Sequence, residues 1–436
     1  MQSRSMLSFD VYLVGATLAL IAIGILFIYS SGVTSSGRVF STEYIRQIVW
    51  AGTGMILLFA TALLPHGTAR AWSIPFYIGV IILLIVTLAF GRVVNGARSW
   101  LGIGGLGIQP AEFAKLASIL FLALFLERAG SAVKRIPTLF AAFAIVALPM
   151  ALTLMQPDLG TALVFIPIFL VLVFVAGARV RHVLYIVLLL GLAGVLTVIP
   201  AWERQIYEGT IPAVSVLTRP QVLTMAVIGT TTVLFVGVVG YVATKRRHFY
   251  WMMYGVSLLL VALLSSIAVR QILQDYQMMR LIVFLDPYAE PRGAGWNIIQ
   301  SITAVGSGGF SGKGLLQGTQ SQYQYIPQQS TDFIFSILAE EWGFLGGLVV
   351  FALFLLILLR GLYIVLTARD TFSALMATGV VALIFFHFAV NVGMVIGVMP
   401  ITGIPLFFLS HGGSSLWTAL VGIGLLLNVH HNRYHY

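Results

Sequence analysis

Cysteine is absent from the chain, which excludes disulfides and thiolate metal sites and says nothing about redox compartment. Charge is nearly as scarce. Asp, Glu, Lys and Arg make up 9% of the 436 residues, against about 25% in an ordinary soluble domain. With 59% hydrophobic residues and a mean hydropathy of +1.00, this excludes a soluble globular enzyme. Also lacking are a Pro/Gly/Ser linker, a low-complexity tract and a convincing internal repeat, so the chain reads as one domain over 1–436. The first apolar run is too long for a signal peptide and leads through a short loop into a second, so it reads as a retained span.

What is present is a series of apolar runs, each near the ~20 residues that cross a bilayer. They cover 10–30, 44–64, 72–91, 110–127, 137–155, 159–177, 182–199, 222–243, 249–268, 332–359, 372–398 and 406–429. About twelve helices result, and the fold class is an all-α polytopic integral membrane protein. The formal charge of +10 would suit nucleic acid, but its placement argues against such a partner. Arg128, Lys134, Arg135, Arg179, Arg181, Lys245, Arg246, Arg247, Arg360 and Arg369 fall in short loops on one side. That positive-inside bias puts both termini in the cytoplasm and the loops 92–108 and 270–331 outside.

The unusual segments gather on the outer side. In QPAEFAKLA, Pro110 suits a first helical turn, and Glu112 and Lys115, three apart, share a face. They form either a structural pair or the lining of a cavity. NGARSWLGIGG, ahead of them, supplies Arg98 and Trp100 at the interface, where a tryptophan is ordinarily a belt residue. Asp158, in the turn QPDLGT, either caps the following helix or faces the lumen. GSGGFSGKGLLQGTQSQ fails the Walker pattern, since Ser307 and Gly314 replace required residues. It reads as a flexible glycine loop whose Lys313 could approach a pyrophosphate. The apolar stretch 296–305 before it is suited to lie along the interface. His387 and His411 stand alone and read as packing or hydrogen-bonding residues. At QQSTDFIFSILAEEWG, Ser330 or Thr331 could cap a helix with Asp332 in its first turn. Glu340 and Glu341 lie ~12–14 Å further along and need partners.

Taken in order, NGARSWLGIGGLGIQPAEFAKLA, QPDLGTALV, DYQMMRLIVFLDPYAEPRGAGWNIIQSITAVGSGGFSGKG, GTQSQ, TDFIFSILAEEWG and NVGMVIGVMPITGIPLFFLSHGGSS resemble the SEDS proteins of bacterial cell-wall synthesis: RodA, FtsW and SpoVE. The GTQSQ stretch is more similar to the elongation branch, RodA, than to the division branch. The resemblance implies a multi-pass protein of the bacterial cytoplasmic (inner) membrane, a glycosyltransferase polymerising lipid II at the outer face. It places the essential acid at Asp332 and a substrate cavity around Glu112 and Lys115, with Trp100 beside them. Gln109, Arg98, Asp158, Lys313 and Thr331 complete the expected substrate-binding set.

Asp332 would act either as the base that removes the proton of the acceptor 4-hydroxyl, for which a carboxylate is suited, or as a metal ligand. An α-linked donor giving a β-linked product implies inversion. The lipid pyrophosphate leaving group calls for Lys, Arg or a divalent cation, Mg2+ or Mn2+, with metal ligands unassigned and no organic cofactor. Expected partners are a class B penicillin-binding protein (a transpeptidase) and other membrane proteins of the elongation complex. The competing readings are a lipid II flippase and a noncatalytic scaffold for the transpeptidase. The one-sided clustering of ionisable groups and the lack of inverted repeats disfavour the flippase. Three positions depart from the family: an extra hairpin within 201–250, Gln328 in place of a usual Glu, and His411 in place of Tyr, Ser or Ala.

Overall fold

The structure, a computed structural model, describes residues 10–34, 36–65, 67–94, 97–103, 106–207, 214–273 and 275–433. Both chain termini, parts of the NGARSWLGIGG segment and residues 208–213 of the expected hairpin lie outside them. Among the described residues eleven helices are long and apolar enough to cross a membrane. The run expected at 159–177 forms a further apolar helix of 17 residues, Leu159–Val175. In a bilayer core, where backbone groups find no water, such all-helical spans are one of the two viable solutions. The chain is an all-α polytopic membrane protein.

Two compact units are distinguished, Met1–Ala178 with Asn297–Tyr436, and Arg179–Trp296. The first contains α1 (Val11–Ser31), α2 (Glu43–Ala62), α3 (Thr68–Phe90), the strands β1 (Arg92–Val94), β2 (Ala97–Ile103) and β3 (Leu106–Ile108), then α4 (Pro110–Ala129), α5 (Ile136–Met155) and α6 (Leu159–Val175). The second holds α7 (Val180–Gln205), α8 (Ser215–Thr218), α9 (Pro220–Thr244), α10 (Arg247–Ile272) and α11 (Asp275–Leu285). The chain then re-enters the first unit through α12 (Ala294–Gly308), α13 (Thr319–Gln322), α14 (Ile334–Leu366), α15 (Thr371–Val395) and α16 (Gly413–Asn432).

The core of the first unit is made by α4, α15 and α16, which are buried on nearly every face. A helix apolar all round belongs in such a position. In the second unit α9 buries only Gly237, while Tyr185 donates to Ser257 Oγ (3.2 Å) and ties α7 to α10. The hairpin expected within 201–250 falls on the end of α7, α8, α9 and the start of α10.

Several expectations are corrected by the fold. The segment 92–108, expected as an outer loop, contains a three-stranded antiparallel sheet in the order β1-β2-β3. The stretch expected to lie along the interface forms α12, which buries Ile298, Ser301 and Ala304, one residue every third position. Ser301 Oγ donates to Val395 O (2.7 Å), so this helix packs inward against α15. Residues 406–412 are not helical: α16 starts only at Gly413. α14 also starts later and runs further than the apolar run 332–359 indicates.

Candidate active site

Asp332 sits two residues ahead of α14. The N-cap is Phe333, which has no side-chain capping bond, and the first turn carries no acid. The capping account of Ser330, Thr331 and Asp332 therefore does not hold. The three residues form a turn in which Asp332 N donates to Gln328 O (3.1 Å) and Thr331 Oγ1 donates to Gln328 O (3.2 Å). Asp332 is half-buried.

What holds the turn comes from distant parts of the chain. Asn391 on α15, fully buried, donates from Nδ2 to Asp332 O (2.9 Å) and to Ile404 O (2.8 Å). Ser410 Oγ donates to Thr331 O (2.6 Å), and His411 N donates to Ser330 O (2.8 Å). Gln47 of α2 spans the same stretch, donating to Ser410 O and accepting from Gly412 N. Gln329 Nε2 reaches Ser31 O at the end of α1. The 399–412 segment is thus a belt of irregular backbone, its carbonyls and amides satisfied by buried side chains, as irregular backbone at membrane depth requires. Gly403, at φ +71°, brings that belt beside the acid: a Cβ there would lie 3.6 Å from Asp332 Oδ2.

Glu112 and Lys115 pair across one turn of α4, with Nζ 2.7 Å from Glu112 Oε1 and side-chain exposures of 0% for the lysine and 2% for the acid. Lys115 Nζ also lies 3.0 Å from His387 Nε2, and its charge faces the Phe407 ring. His387 Nδ1 lies 2.9 Å from Pro405 O. A carbonyl can only accept, so Nδ1 carries the proton and Nε2 accepts from Lys115. His387 is therefore the third member of a buried polar triad and stacks flat on Phe407, with ring centroids 3.7 Å apart. Glu112 Oε2 is buried without a hydrogen-bond partner among the described residues.

The remaining predicted residues divide. Gln109 Nε2 donates to Asp158 Oδ2 (2.8 Å), and its backbone N–H donates to Ser414 Oγ (2.9 Å), joining the starts of α4, α6 and α16. Asp158 also caps α6 through Thr161 N (3.0 Å). Arg98 and Trp100 stand on β2, opposite Val93 and Arg92, and Arg98 Nη1 donates to Leu88 O (3.3 Å).

Lys313 is placed elsewhere. The glycine segment, expected as a flexible loop, is hooked onto a break in α14 at Gly343, whose φ of +62° interrupts the helix. The broken ladder exposes carbonyls and amides that must be satisfied. Lys313 N and Gly314 N donate to Glu340 O and Glu341 O, and Phe344 N and Leu345 N donate to Gly309 O and Phe310 O. Lys313 Nζ is ion-paired with Glu340 Oε1 at 2.7 Å. Glu340 also accepts from Thr319 Oγ1 (2.9 Å) and Gln320 N (3.0 Å), while Glu341 accepts from Ser30 Oγ (2.6 Å) and Leu316 N (3.1 Å). These are the partners that the two fully buried carboxylates needed.

Sequence reasoning passed over Asn391, Ser410 and Gln47. A signal existed for the first: Asn391 is a polar residue deep in an apolar run, four after His387 and hence on the same helix face.

Through Asn391, His387 and the carbonyls of Ile404 and Pro405, the Asp332 turn is linked to the Glu112–Lys115 pair, while Gln109 and Asp158 meet at the start of α4. The chain as a whole is similar to proteins of known type. The family model for FtsW, RodA and SpoVE, described as cell cycle proteins, matches residues 11–206 and 202–435. The peptidoglycan glycosyltransferase RodA of Treponema pallidum (strain Nichols) is 46% identical over 431 residues, 98% of this chain and 99% of that one. The peptidoglycan glycosyltransferase MrdB of Escherichia coli (strain K12) is 33% identical over 388 residues, 89% of this chain and 85% of the relative. Among solved structures, a chain of a peptidoglycan synthase complex that coordinates polymerization and crosslinking aligns with a TM-score of 0.71 at 30% identity, covering 99% of this chain and 100% of that one. The rod shape determining protein RodA of Thermus thermophilus aligns with a TM-score of 0.61 at 27% identity, covering 99% of each chain. With its family match, its near-full-length relatives and its helical membrane architecture in agreement, the chain belongs to the FtsW/RodA/SpoVE family of cell cycle proteins.

Proposed function

We propose that this chain is a RodA-type peptidoglycan glycosyltransferase that polymerises lipid II at the outer face of the bacterial cytoplasmic membrane, with Asp332 as general base. The observation that carries the assignment of the base is the placement of Asp332: a half-buried acid outside its helix, in a turn held from α15 and the 399–412 belt. A cap would need none of those ties. In the reaction, an Asp332 oxygen takes the proton of the acceptor sugar's 4-hydroxyl as the hydroxyl's own oxygen bonds to the donor's anomeric carbon. The bond from that carbon to the lipid pyrophosphate breaks with its electron pair, and configuration inverts without a glycosyl-enzyme intermediate. Glu112, with one buried oxygen still able to accept, and Lys115 line the lipid pathway together with Gln109, Asp158, Thr331, Arg98 and Trp100. Lys313, bound to Glu340, serves the reaction by ordering the glycine segment.

Among the described residues no group of three or more His, Asp or Glu could hold a metal. A single carboxylate with substrate phosphate oxygens is nonetheless a normal Mg2+ donor set, so Asp332 fits Mg2+ or Mn2+ only together with the pyrophosphate. A cation held there would offset the charge developing on the leaving group.

The partner is a class B penicillin-binding protein, its single membrane helix packed on lipid-facing helices, with other elongation-complex membrane proteins around it. Both chain ends face the cytoplasm, following the basic loops.

The test is Asp332→Asn, which keeps size and a capping oxygen. Polymerisation of labelled lipid II should fall ~10²–10⁴-fold with normal folding, the usual contribution of a positioned base. Asp332→Glu should retain little activity, and titration with Mg2+ and Mn2+ separates a base from a metal ligand. Wild-type polymerisation by a well-folded Asp332→Asn protein would end the assignment, and lipid translocation without polymer would replace it with a flippase.

A further inference from the structure

We infer that Asn391 is a positioning residue that sets the Asp332 carboxylate for in-line proton removal, an inference resting on the reading of Asp332 as the base. Asp332 lies in a turn and not in α14, so the helix does not fix its main chain. A side chain that reaches that main chain is Asn391, whose amide spends its N–H groups on Asp332 O (2.9 Å) and Ile404 O (2.8 Å). The two carbonyls belong to segments about seventy residues apart in sequence. Ile404 follows Gly403, the residue that flanks Asp332 Oδ2. One amide therefore locks the acid's backbone against the backbone beside its carboxylate.

The arrangement is costly, which argues for a purpose. Asn391 is 0% exposed in an apolar helix, and its Oδ1 is buried with no partner among the described residues. A flipped amide would set oxygen against two carbonyls, so the bonds themselves determine the orientation. Polar side chains inside a membrane helix are expensive, and this one serves the carbonyls of two other segments while its own oxygen has no partner among the described residues. One turn earlier on the same face, His387 donates to Pro405 O (2.9 Å) while its other nitrogen accepts from Lys115. α15 thus grips two successive carbonyls of the belt, Ile404 and Pro405, and the grip at Ile404 is shared with Asp332.

Displacement of a base by about 1 Å can cost ~10²-fold in rate without touching substrate affinity. The experiment uses the full-length purified protein with labelled lipid II. Asn391→Leu keeps the branched outline with bulkier ends and donates no hydrogen bond; Asn391→Ser is smaller and keeps one donor, so it serves if leucine impairs folding. Expected is a fall in kcat of roughly 10–100-fold for leucine and less for serine, with KM within about twofold of wild type. In an Asp332→Asn background, Asn391→Leu should cost less than about threefold more, because the residue it positions no longer acts.

Wild-type kcat in folded Asn391 variants would overturn the inference. So would a loss carried by KM, or an equal further loss in the Asp332→Asn background. Misfolding of both variants also counts against it, since that assigns Asn391 to the fold alone. Full activity of Asp332→Asn would remove the base itself, whereas an inactive Asp332→Asn beside unaffected Asn391 variants would remove only the positioning role.

Discussion

Replacing Lys115 with Met removes the cation from a pair in which both side chains are out of solvent, at 0% and 2% exposure. Glu112 Oε1 then loses its 2.7 Å partner, and Oε2 already has none among the described residues, so a buried carboxylate is left uncompensated. Breaking a buried pair in this way costs about 3–5 kcal/mol. His387 Nε2 loses its donor at the same time, adding on the order of 1 kcal/mol. Glu112→Gln should cost less, about 2–3 kcal/mol, because the amide oxygen still accepts and Lys115 keeps His387 and the Phe407 face. The double variant Glu112→Gln/Lys115→Met holds no buried charge at these positions and should recover at least ~2 kcal/mol relative to the sum of the singles. Unfolding by SDS in mixed micelles, run as a double-mutant cycle, measures this coupling. Lipid II polymerisation by the same proteins separates packing from chemistry: the double variant should regain stability while activity stays low. Additivity within ~0.5 kcal/mol would refute the energetic argument. Full polymerisation by both Glu112→Ala and Lys115→Ala would remove the pair from the substrate pathway.

Three further outcomes are expected. Glu340→Ala releases Lys313, Thr319 and Gln320 together, so tryptic cleavage after Lys313 should accelerate at least ~10-fold over wild type, the factor that loss of one charge-assisted bond produces. Gly343→Ala places a side chain at φ +62° and 2.8 Å from Phe310 O, and should destabilise the protein by about 1–3 kcal/mol from backbone strain alone, read by thermal unfolding. Deletion of the hairpin within 201–250 should weaken co-purification of the cognate transpeptidase; undiminished recovery of an active complex would exclude that segment from assembly.

The candidate site was readable in part. Asp332, Glu112, Lys115 and Asp158 are ionisable residues at the margins of apolar runs, where their desolvation cost makes them conspicuous, but the roles expected of them and of Gln109 came from the family resemblance. The Glu112–Lys115 pair needs only the three-residue spacing of one helix, so local geometry suffices to foresee it. The capping account of Asp332 was also local, and it failed because the helix begins two residues later than the polar-to-apolar transition indicates. The order of the glycine segment around Lys313 was not legible for a related reason. Glycine-rich composition reads as mobility unless something binds the backbone, and here the break at Gly343 supplies unpaired carbonyls and amides that do so.

The amino-acid sequence by itself determined that this is a helical membrane protein and roughly where most of its spans lie. Those properties follow from run length and composition, each a sum over neighbouring residues. Tertiary structure alone decided what surrounds the acid: Asn391 comes from 59 residues after Asp332, and Ser410 from 79 residues after Thr331. It likewise decided that Ser414 accepts from Gln109 across 305 positions and that Ser30 answers Glu341 across 311. No periodicity records such pairings. They arise because buried carbonyls, amides and carboxylates in a waterless interior must find partners, and only the packing of the helices brings those partners within reach.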